Sequence, residues 1–214
     1  MKMNLQEKLE KRLRGAKFRL INEKIYKNKI SKLYKNEMKE YHIGYADQVK
    51  KWPENPLDVL ISKLKCLKNK KIADLGCGEA KLSKELTQNT VFSVDLLTKG
   101  PHIIEADIEK TPFENDSMDI VVFCLSLMKK NVFKAIKESN RICKKDGILY
   151  IAEVASRFSN IKKFIEKIEK IGYRLKFVDK SNNHFVLFEF EKTKDFDLKG
   201  SLEIILKPCK IKPR

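Results

Sequence analysis

The segment KIADLGCGEA (71–80), a short apolar run that ends in a glycine turn, is the most informative part of this chain. Glycine has no Cβ, so a strand that leads into Gly76-Cys77-Gly78 lets backbone N–H groups and the start of a helix approach a ligand closely. An ordinary tight turn produces the same pattern. The function of the segment therefore has to be judged from the sequence on either side of it.

On the carboxyl side of this turn, short apolar runs typical of strands alternate with helical patterns. The predicted strands after KIADL are VFSVD (91–95), HIIEAD (102–107), DIVVFCLSL (119–127), ILYIAEV (148–154), 173–178 and 185–190. Alternation with helices favours a mostly parallel sheet covered on both faces, and the last two strands lack an intervening helix. We predict an α/β fold with a mostly parallel seven-stranded sheet and one antiparallel edge strand.

On the amino side the pattern is helical. Apolar residues at helical spacing between Leu5 and Tyr34 predict two short amphipathic helices with cationic outer faces. The stretch from Tyr41 to Leu60 contains two prolines and predicts a packed loop that leads into a helix from about residue 57 to 67. The predicted organisation is a helical appendage or lid over 1–56, the main domain over 57–192 and a basic tail over 193–214.

The charge of the 214-residue chain points to a polyanionic partner. Lys and Arg number 46 against 29 acidic residues, which gives a net charge of +17, while 42% hydrophobic residues exclude an unstructured basic protein. Thirty-nine of the 46 are Lys, a bias that an AT-rich genome also produces. Residues 1–40 hold 13 basic and 5 acidic residues, so the excess is concentrated in the predicted appendage.

Several classes of protein are not expected. No apolar run is long enough for a membrane helix or a signal peptide, so we expect neither membrane spanning nor secretion. The five cysteines never occur as Cys-x-x-Cys, which argues against a disulfide framework and a zinc ribbon and favours reduced thiols. The three histidines are too dispersed to predict a metal site.

Acidic residues at predicted strand ends suggest a nucleotide ligand. Asp95 follows Gly78 by 17 residues, where a doubly wound fold places a carboxylate that accepts hydrogen bonds from ribose hydroxyls. This fits NAD and S-adenosylmethionine equally. A dinucleotide fingerprint requires a third small residue where this chain has Lys81, and Asp74 suits a cationic amino-acid group. Asp107 follows as a candidate acceptor for an adenine amino group. A sulfonium cofactor is therefore favoured, although each acid taken singly is equally compatible with a solvated strand end.

The chain resembles the Rossmann-like S-adenosylmethionine-dependent methyltransferases, and among them the ribosomal RNA-processing methyltransferase family that includes nucleomethylin. The segments that carry the resemblance are RLRGAKFRLINEKIY (12–26), YHIGY (41–45), QVKKWPENPLD (48–58), DLGCGEA (74–80), DIVVFCLSLM (119–128), AEVASRF (152–158) and SNNHFVLFEF (181–190). DLGCGEA is generic to the superfamily, whereas FCLSLM and SNNHFVLFEF together are specific. The resemblance implies methylation of adenine N1 in large-subunit ribosomal RNA, with ribosomal RNA or a pre-ribosome as partner, in the nucleus and nucleolus.

The resemblance also implies which residues contact S-adenosylmethionine. They are His42, Gly76, Asp95, Asp107, Ile108 and Cys124. Ile108 stands where the family commonly has Met, which preserves an apolar contact to the adenine. Lys129-Lys130 replaces a common Gly-Thr and changes the expected shape of the substrate mouth.

Methyl transfer to adenine N1 requires alignment more than proton transfer, because the nitrogen has an available lone pair. The chain has Cys124-Leu125-Ser126-Leu127 in place of the Asn-Pro-Pro-Tyr loop of exocyclic amino methyltransferases, so we assign no catalytic residue. Cys124 as a methyl-accepting nucleophile remains an alternative to a packed thiol. From the residues alone, His42 is more typical of a structural hydrogen bonder, and the ligand role comes from the resemblance. His184 could line the substrate pocket, with Phe185 stacking on a flipped base, and a hairpin core position is an equal alternative.

Two other classes of function remain open. A non-catalytic chromatin- or RNA-associated adaptor would retain the same fold and motifs. A methyltransferase acting on a small molecule or a protein is opposed only by the basic charge.

Overall fold

The computed structural model describes residues 4–26, 35–49, 52–96, 100–197 and 202–209. The described residues divide between two compact units, the first formed by those up to residue 55 and the second by those from 56 to 209. No helix among the described residues is long and apolar enough to cross a membrane.

The first unit contains two helices, α1 (Leu5–Tyr26) and α2 (Lys35–Val49), which pack antiparallel. Gly44 allows their close approach, because a Cβ there would lie 2.6 Å from the Cβ of Phe18. The rings of Phe18 and Tyr41 are 5.3 Å apart, and exposed ion pairs Lys17–Glu40 (2.9 Å) and Lys24–Glu37 (2.6 Å) flank them.

Two predictions for this unit are wrong. Residues 5–26 form one continuous helix instead of two short ones, since Gly15 alone does not end a helix; residues 27–34 lie outside the described residues. Residues 41–49 are helical instead of a packed loop, because the prolines that suggested a loop come after this segment. Of the apolar positions on α1, Phe18, Ile21 and Ile25 are buried, but Leu5, Leu9 and Leu13 are exposed.

The second unit is built on seven strands. They are β1 (Lys71–Leu75), β2 (Thr90–Asp95), β3 (Ile103–Glu105), β4 (Met118–Cys124), β5 (Cys143–Val154), β6 (Tyr173–Asp179) and β7 (Phe185–Lys192). The helices are α3 (Pro56–Leu64), α4 (Lys81–Glu85), α5 (Phe133–Ile142) and α6 (Ile161–Glu169). The strand order β3-β2-β1-β4-β5-β7-β6 confirms the predicted α/β class and the seven-stranded sheet.

Antiparallel pairing is confined to one edge, as predicted. The pairs from β3 to β5 are all parallel, whereas β7 pairs antiparallel with both β5 and β6. The reversed strand therefore lies one position inside the edge, and β6 is outermost. A short connection between β6 and β7 allows this insertion because antiparallel neighbours need no crossover helix.

Apolar layers cover both faces of the sheet. Helices α5 and α6 pack against one face through residues such as Ile136 and Ile168. Helices α3 and α4 pack against the other through Leu60, Leu64 and Leu82. Alternate residues of each strand supply the two layers.

Part of the segment that the sequence assigned to a C-terminal tail packs against this unit. Ile204 and Leu206 are buried, and Val132 donates a backbone hydrogen bond of 2.9 Å to the Ile204 carbonyl. This contact is between residues more than 70 positions apart, so no local pattern predicted it. The domain boundaries proposed from the sequence otherwise remain predictions.

Candidate functional site

The candidate site lies where the parallel strands β1, β2 and β4 end. In a doubly wound sheet, ligands bind beyond the carboxyl ends of the strands, where the order of connections reverses. Here the reversal occurs between β1 and β4, which are adjacent although two strands separate them in sequence. Asp74 pairs in register with Ser93 on β2 and with Val122 on β4. Polar side chains near these strand ends therefore meet on the face that α3 and α4 cover.

The turn after β1 is fixed by its own hydrogen bonds. The N–H groups of Gly76 and Cys77 donate to the Val94 carbonyl at 2.8 and 3.0 Å. The Gly78 N–H donates to Oδ2 of Asp95 at 2.9 Å. The turn is thereby tied to the end of β2, and a predicted ribose-binding carboxylate is held at its edge.

Gly76 is required by the geometry of this turn. Its φ is +82°, a left-handed conformation that L side chains rarely adopt, and a Cβ built there would overlap the Cβ of Ser126. The turn after β1 and the segment after β4 thus approach each other as closely as a glycine permits. This close backbone approach fits the prediction of a ligand-binding turn.

Asp74 is the buried acid of the site. The residue is only 3% exposed, and burial, together with the nearby charge of Asp95, raises its pKa to about 7. A buried carboxyl group with this property binds a cation favourably, because an ammonium group restores its preference for the ionised form. The geometry therefore fits a cofactor with a cationic amino-acid group.

Asp107 and Ile108 lie just beyond the third strand. β3 ends at Glu105, so the prediction that Asp107 ends this strand is wrong by two residues. Asp107 accepts a hydrogen bond of 2.9 Å from the Glu109 N–H, and the Ala106 N–H donates to the Asp95 carbonyl at 3.1 Å. This turn is therefore adjacent to the end of β2. Ile108 is half-buried against the core.

Lys129 connects this turn to the segment after β4. Its Nζ lies 2.7 Å from Oε2 of Glu109 and 3.5 Å from Oδ2 of Asp107. The departure from the family pattern at this position thus places a cation against the carboxylate predicted to bind adenine.

Cys124 is the last residue of β4 and is half-buried. Burial, followed by the charges of Asp74, Glu153 and Asp58, raises the pKa of its thiol well above the usual value. Because the thiolate is the nucleophilic form of cysteine, this environment disfavours a methyl-accepting role and favours packing.

The two histidines belong to different units. His42 is on α2 in the first unit, is 9% exposed, and has its ring edge-on to Tyr41 at 5.8 Å. His184 lies in the bend before β7, where its carbonyl accepts a hydrogen bond of 2.9 Å from the Ala155 N–H. The second unit by itself brings together Gly76, Asp95, Asp107, Ile108 and Cys124, so the role predicted for His42 stays a prediction.

Other residues of interest were not assigned from the sequence. Ser126 contacts the glycine turn, and Arg157 forms a buried ion pair with Glu153. The signal for Ser126 was its place in the loop that replaces Asn-Pro-Pro-Tyr. Nothing local distinguishes Arg157 from an exposed arginine. No group of three potential metal ligands occurs within the described ranges.

Comparison with known proteins identifies the family. A family model described as a hypothetical methyltransferase matches residues 4–214. The "25S rRNA (adenine(645)-N(1))-methyltransferase" of Schizosaccharomyces pombe is 38% identical, with 99% of this chain and 73% of that protein covered. The "Ribosomal RNA-processing protein 8" of Dictyostelium discoideum is also 38% identical over 99% of this chain, but the match spans 60% of that protein. The match to the Mus musculus protein of the same name spans 43% of that protein.

Solved structures support the fold. A Burkholderia thailandensis 1,6-didemethyltoxoflavin-N1-methyltransferase, with bound 1,6-didemethyltoxoflavin and S-adenosylhomocysteine, has a TM-score of 0.53 at 12% identity, covering 64% of this chain and 76% of that one. The [4+2]-cyclase SpnF has a TM-score of 0.54 at 12% identity, and the match covers 64% of this chain and 80% of that one. Because one of these proteins is named a cyclase, the likeness concerns the fold alone.

The family match extends over the glycine turn, the strand-end acids and the segment after β4, and the identity to the relatives extends over nearly the whole chain. The resemblance inferred from FCLSLM and SNNHFVLFEF is thereby confirmed. The chain belongs to the methyltransferase family that includes the ribosomal RNA-processing protein 8 sequences.

Proposed function

We propose that this protein is an S-adenosylmethionine-dependent methyltransferase that acts on ribosomal RNA, at N1 of an adenine in the large subunit, in ribosome biogenesis. The observation that carries the proposal is the buried Asp74 beside the Gly76 turn, an acid whose pKa near 7 suits a cationic amino-acid group. Family membership and the printed name of the S. pombe relative support the choice of substrate.

Six residues are proposed to hold the cofactor: His42, Gly76, Asp95, Asp107, Ile108 and Cys124. Asp95 would accept hydrogen bonds from the ribose hydroxyls, since its carboxylate is already oriented by the Gly78 N–H. Asp107 would accept from the adenine amino group, and Ile108 would cover an adenine face. Gly76 would admit the ligand close to the backbone, while Cys124 would contribute a neutral, packed wall. Asp74 joins this set as the partner of the ammonium group.

Methyl transfer to adenine N1 requires little from the protein beyond alignment of the methyl donor and the acceptor nitrogen. When bound, S-adenosylmethionine supplies a methyl group already activated by the sulfonium charge. The rigid turns after β1 and β4 would hold the acceptor nitrogen in line, and positioning of this kind accounts for a large part of the acceleration in such reactions. No residue is proposed as a general base, because adenine N1 carries its own lone pair.

The RNA is proposed to bind through the basic residues of 1–40. Arg12 and Arg14 are exposed on α1, and Lys17 is exposed although paired with Glu40. Contacts of lysine and arginine with phosphates release counterions, so affinity should fall steeply with salt. A ribosomal RNA or pre-ribosomal partner would place the protein in the nucleus and nucleolus.

Calorimetry tests cofactor binding directly. The unmodified protein should bind S-adenosylmethionine, and the Gly76→Arg variant should not, since a long side chain would fill the turn. If the unmodified protein gives no heat, or the variant binds equally well, the proposal fails.

Primer extension separates the enzyme from a non-catalytic adaptor. A methyl group at adenine N1 blocks Watson–Crick pairing and stops reverse transcription. Large-subunit RNA incubated with protein and cofactor should gain one stop, and RNA incubated with Gly76→Arg should not. The same stops in both samples would favour the adaptor.

A further inference from the structure

The segment after β4, Leu125–Asn131, is held in place from several sides. The Leu125 N–H donates to the Ala152 carbonyl at 2.8 Å, and the Leu206 N–H donates to the Lys130 carbonyl at 2.9 Å. The Asn131 side-chain oxygen accepts from the Ile204 N–H at 3.1 Å. The neighbouring strand and the C-terminal segment therefore fix this segment's backbone.

A fully buried arginine adds to this scaffold. Arg157 forms an ion pair with Glu153, and both side chains are almost completely buried. Its Nε donates to the Lys207 carbonyl at 2.9 Å, and its second guanidinium nitrogen lies 3.4 Å from the Lys129 carbonyl. A buried charge is costly unless it is paired and hydrogen-bonded, so these contacts offset the cost of burying Arg157 and connect it to the Lys129 and Lys207 carbonyls.

The segment also stores backbone strain. Leu125 has a φ of +56°, a left-handed conformation that is unfavourable for a bulky residue. Such outliers persist where the surrounding structure enforces them, and they cluster at functional sites. The consequence here is that the chain turns sharply after β4 and Ser126 packs against Gly76.

Ser126 carries a hydroxyl group with no hydrogen-bond partner among the described residues, although the oxygen is buried. This oxygen would lie 3.2 Å from a Cβ built on Gly76. Buried polar atoms in native proteins nearly always have a hydrogen-bond partner. A buried hydroxyl group without a protein partner therefore suggests that water or a ligand binds there.

The neighbouring backbone offers few other donors. The N–H groups of Gly76 and Cys77 donate to the Val94 carbonyl, that of Gly78 to Asp95, and that of Ala80 to the Cys77 carbonyl at 3.1 Å. Asp74 and Asp95 are hydrogen-bond acceptors when ionised and repel an anion. The Ser126 hydroxyl is thus a free donor beside the turn proposed to hold the amino-acid part of the cofactor.

We propose that the Ser126 hydroxyl donates a hydrogen bond to the carboxylate of the cofactor's amino-acid moiety, while Asp74 binds its ammonium group. This inference rests on the proposed function. In this role Ser126 is a specificity residue that recognises an amino-acid carboxylate. The Arg157 network would position the Ser126 hydroxyl group by holding the segment after β4 in place.

The test compares two ligands that differ by one group, S-adenosylmethionine and its decarboxylated form, which keeps the ammonium group. Ser126→Ala should weaken S-adenosylmethionine binding in calorimetry by about ten- to a hundred-fold, the range for a hydrogen bond to a charged group. The affinity for the decarboxylated ligand should change by less than about two-fold, because this ligand has no carboxylate to accept the hydrogen bond.

Ser117→Ala is the matched control, because Ser117 precedes the opposite end of β4 and its hydroxyl donates to the Glu114 carbonyl. It should leave both affinities unchanged, and thermal unfolding should show that both variants are folded. Equal losses for the two ligands, or no loss for either, would overturn the role of Ser126. Failure of the unmodified protein to bind either ligand would instead overturn the proposed function.

Discussion

The Gly78 N–H donates a 2.9 Å hydrogen bond to the Asp95 carboxylate and so joins the turn after β1 to the end of β2. The bond orients one Asp95 oxygen towards the turn and leaves the carboxylate with further lone pairs for a ligand. Two residues separated by 17 positions are thereby brought to one edge of the sheet.

Replacing Gly76 with Ala should abolish cofactor binding and reduce stability. The new Cβ would overlap Ser126, and the residue would have to keep a φ of +82°. The conformational cost alone is about 1–2 kcal/mol. Calorimetry and chemical denaturation measure the two effects. Gly100→Ala is the control, since a Cβ at Gly100 meets nothing within 4 Å. Normal binding by Gly76→Ala would contradict the close approach.

Cofactor affinity should rise with pH up to about 7, because the raised pKa of Asp74 keeps its carboxyl protonated below that value. Binding of an ammonium group must then release this proton, and each pH unit below 7 should lower the affinity by up to about ten-fold. Above about pH 8 the cofactor's own α-amino group loses its charge and affinity should fall again. Calorimetry in two buffers of different ionisation enthalpy measures the proton released.

The Asp74→Asn variant is the control for this pH dependence, and its affinity should be low and flat between about pH 5.5 and about 7 by the same reasoning. The stability of the folded protein should change with pH in the opposite direction to the cofactor affinity. The folded, ligand-free protein holds the Asp74 proton more tightly than the unfolded chain, so its stability should decrease as the pH rises from about 4 to about 7. A pH-independent affinity in the unmodified protein would show that Asp74 does not bind the cation.

Breaking the buried ion pair should be far more damaging than breaking an exposed one. Arg157→Met leaves Glu153 buried without its cation and should destabilise the protein by about 3–5 kcal/mol. Replacing both residues by Met should recover much of that loss. Chemical denaturation measures these differences. The exposed pair Lys65–Glu85 provides the comparison, and Lys65→Met should cost at most about 1 kcal/mol. Equal costs for the two pairs would refute the scaffold role of Arg157.

Removing charge from the first helix should weaken RNA binding and its dependence on salt. Alanine at Lys11, Arg12, Arg14 and Lys17 together should lower the slope of log affinity against log salt by about 0.7–0.9 for each phosphate that the protein no longer neutralises. Filter binding at several salt concentrations measures the slope. Alanine at Lys162 and Lys163, exposed on α6, is the control. An unchanged slope in the first variant would mean that the lysine content reflects composition alone.

Local patterns were enough to predict most of the second unit. The strands, the glycine turn and the positions of Asp74 and Asp95 were predictable because periodicity and glycine placement act over a few residues. The family-specific segments then identified the relatives. The continuity of α1 and the helix over 41–49 were not predicted, because they depend on the packing of Phe18 on Gly44, which joins residues distant along the chain.

The class of fold and the acids and glycines at the strand ends were predictable from the sequence, since they follow from contacts close along the chain. Three other features depend on the folded chain: Ser126 packs on Gly76, Arg157 is buried beneath the segment after β4, and residues 204–207 support that segment. Each of these relationships joins residues 28 or more positions apart. Their energy depends on desolvation and close packing, which exist only once the chain has folded.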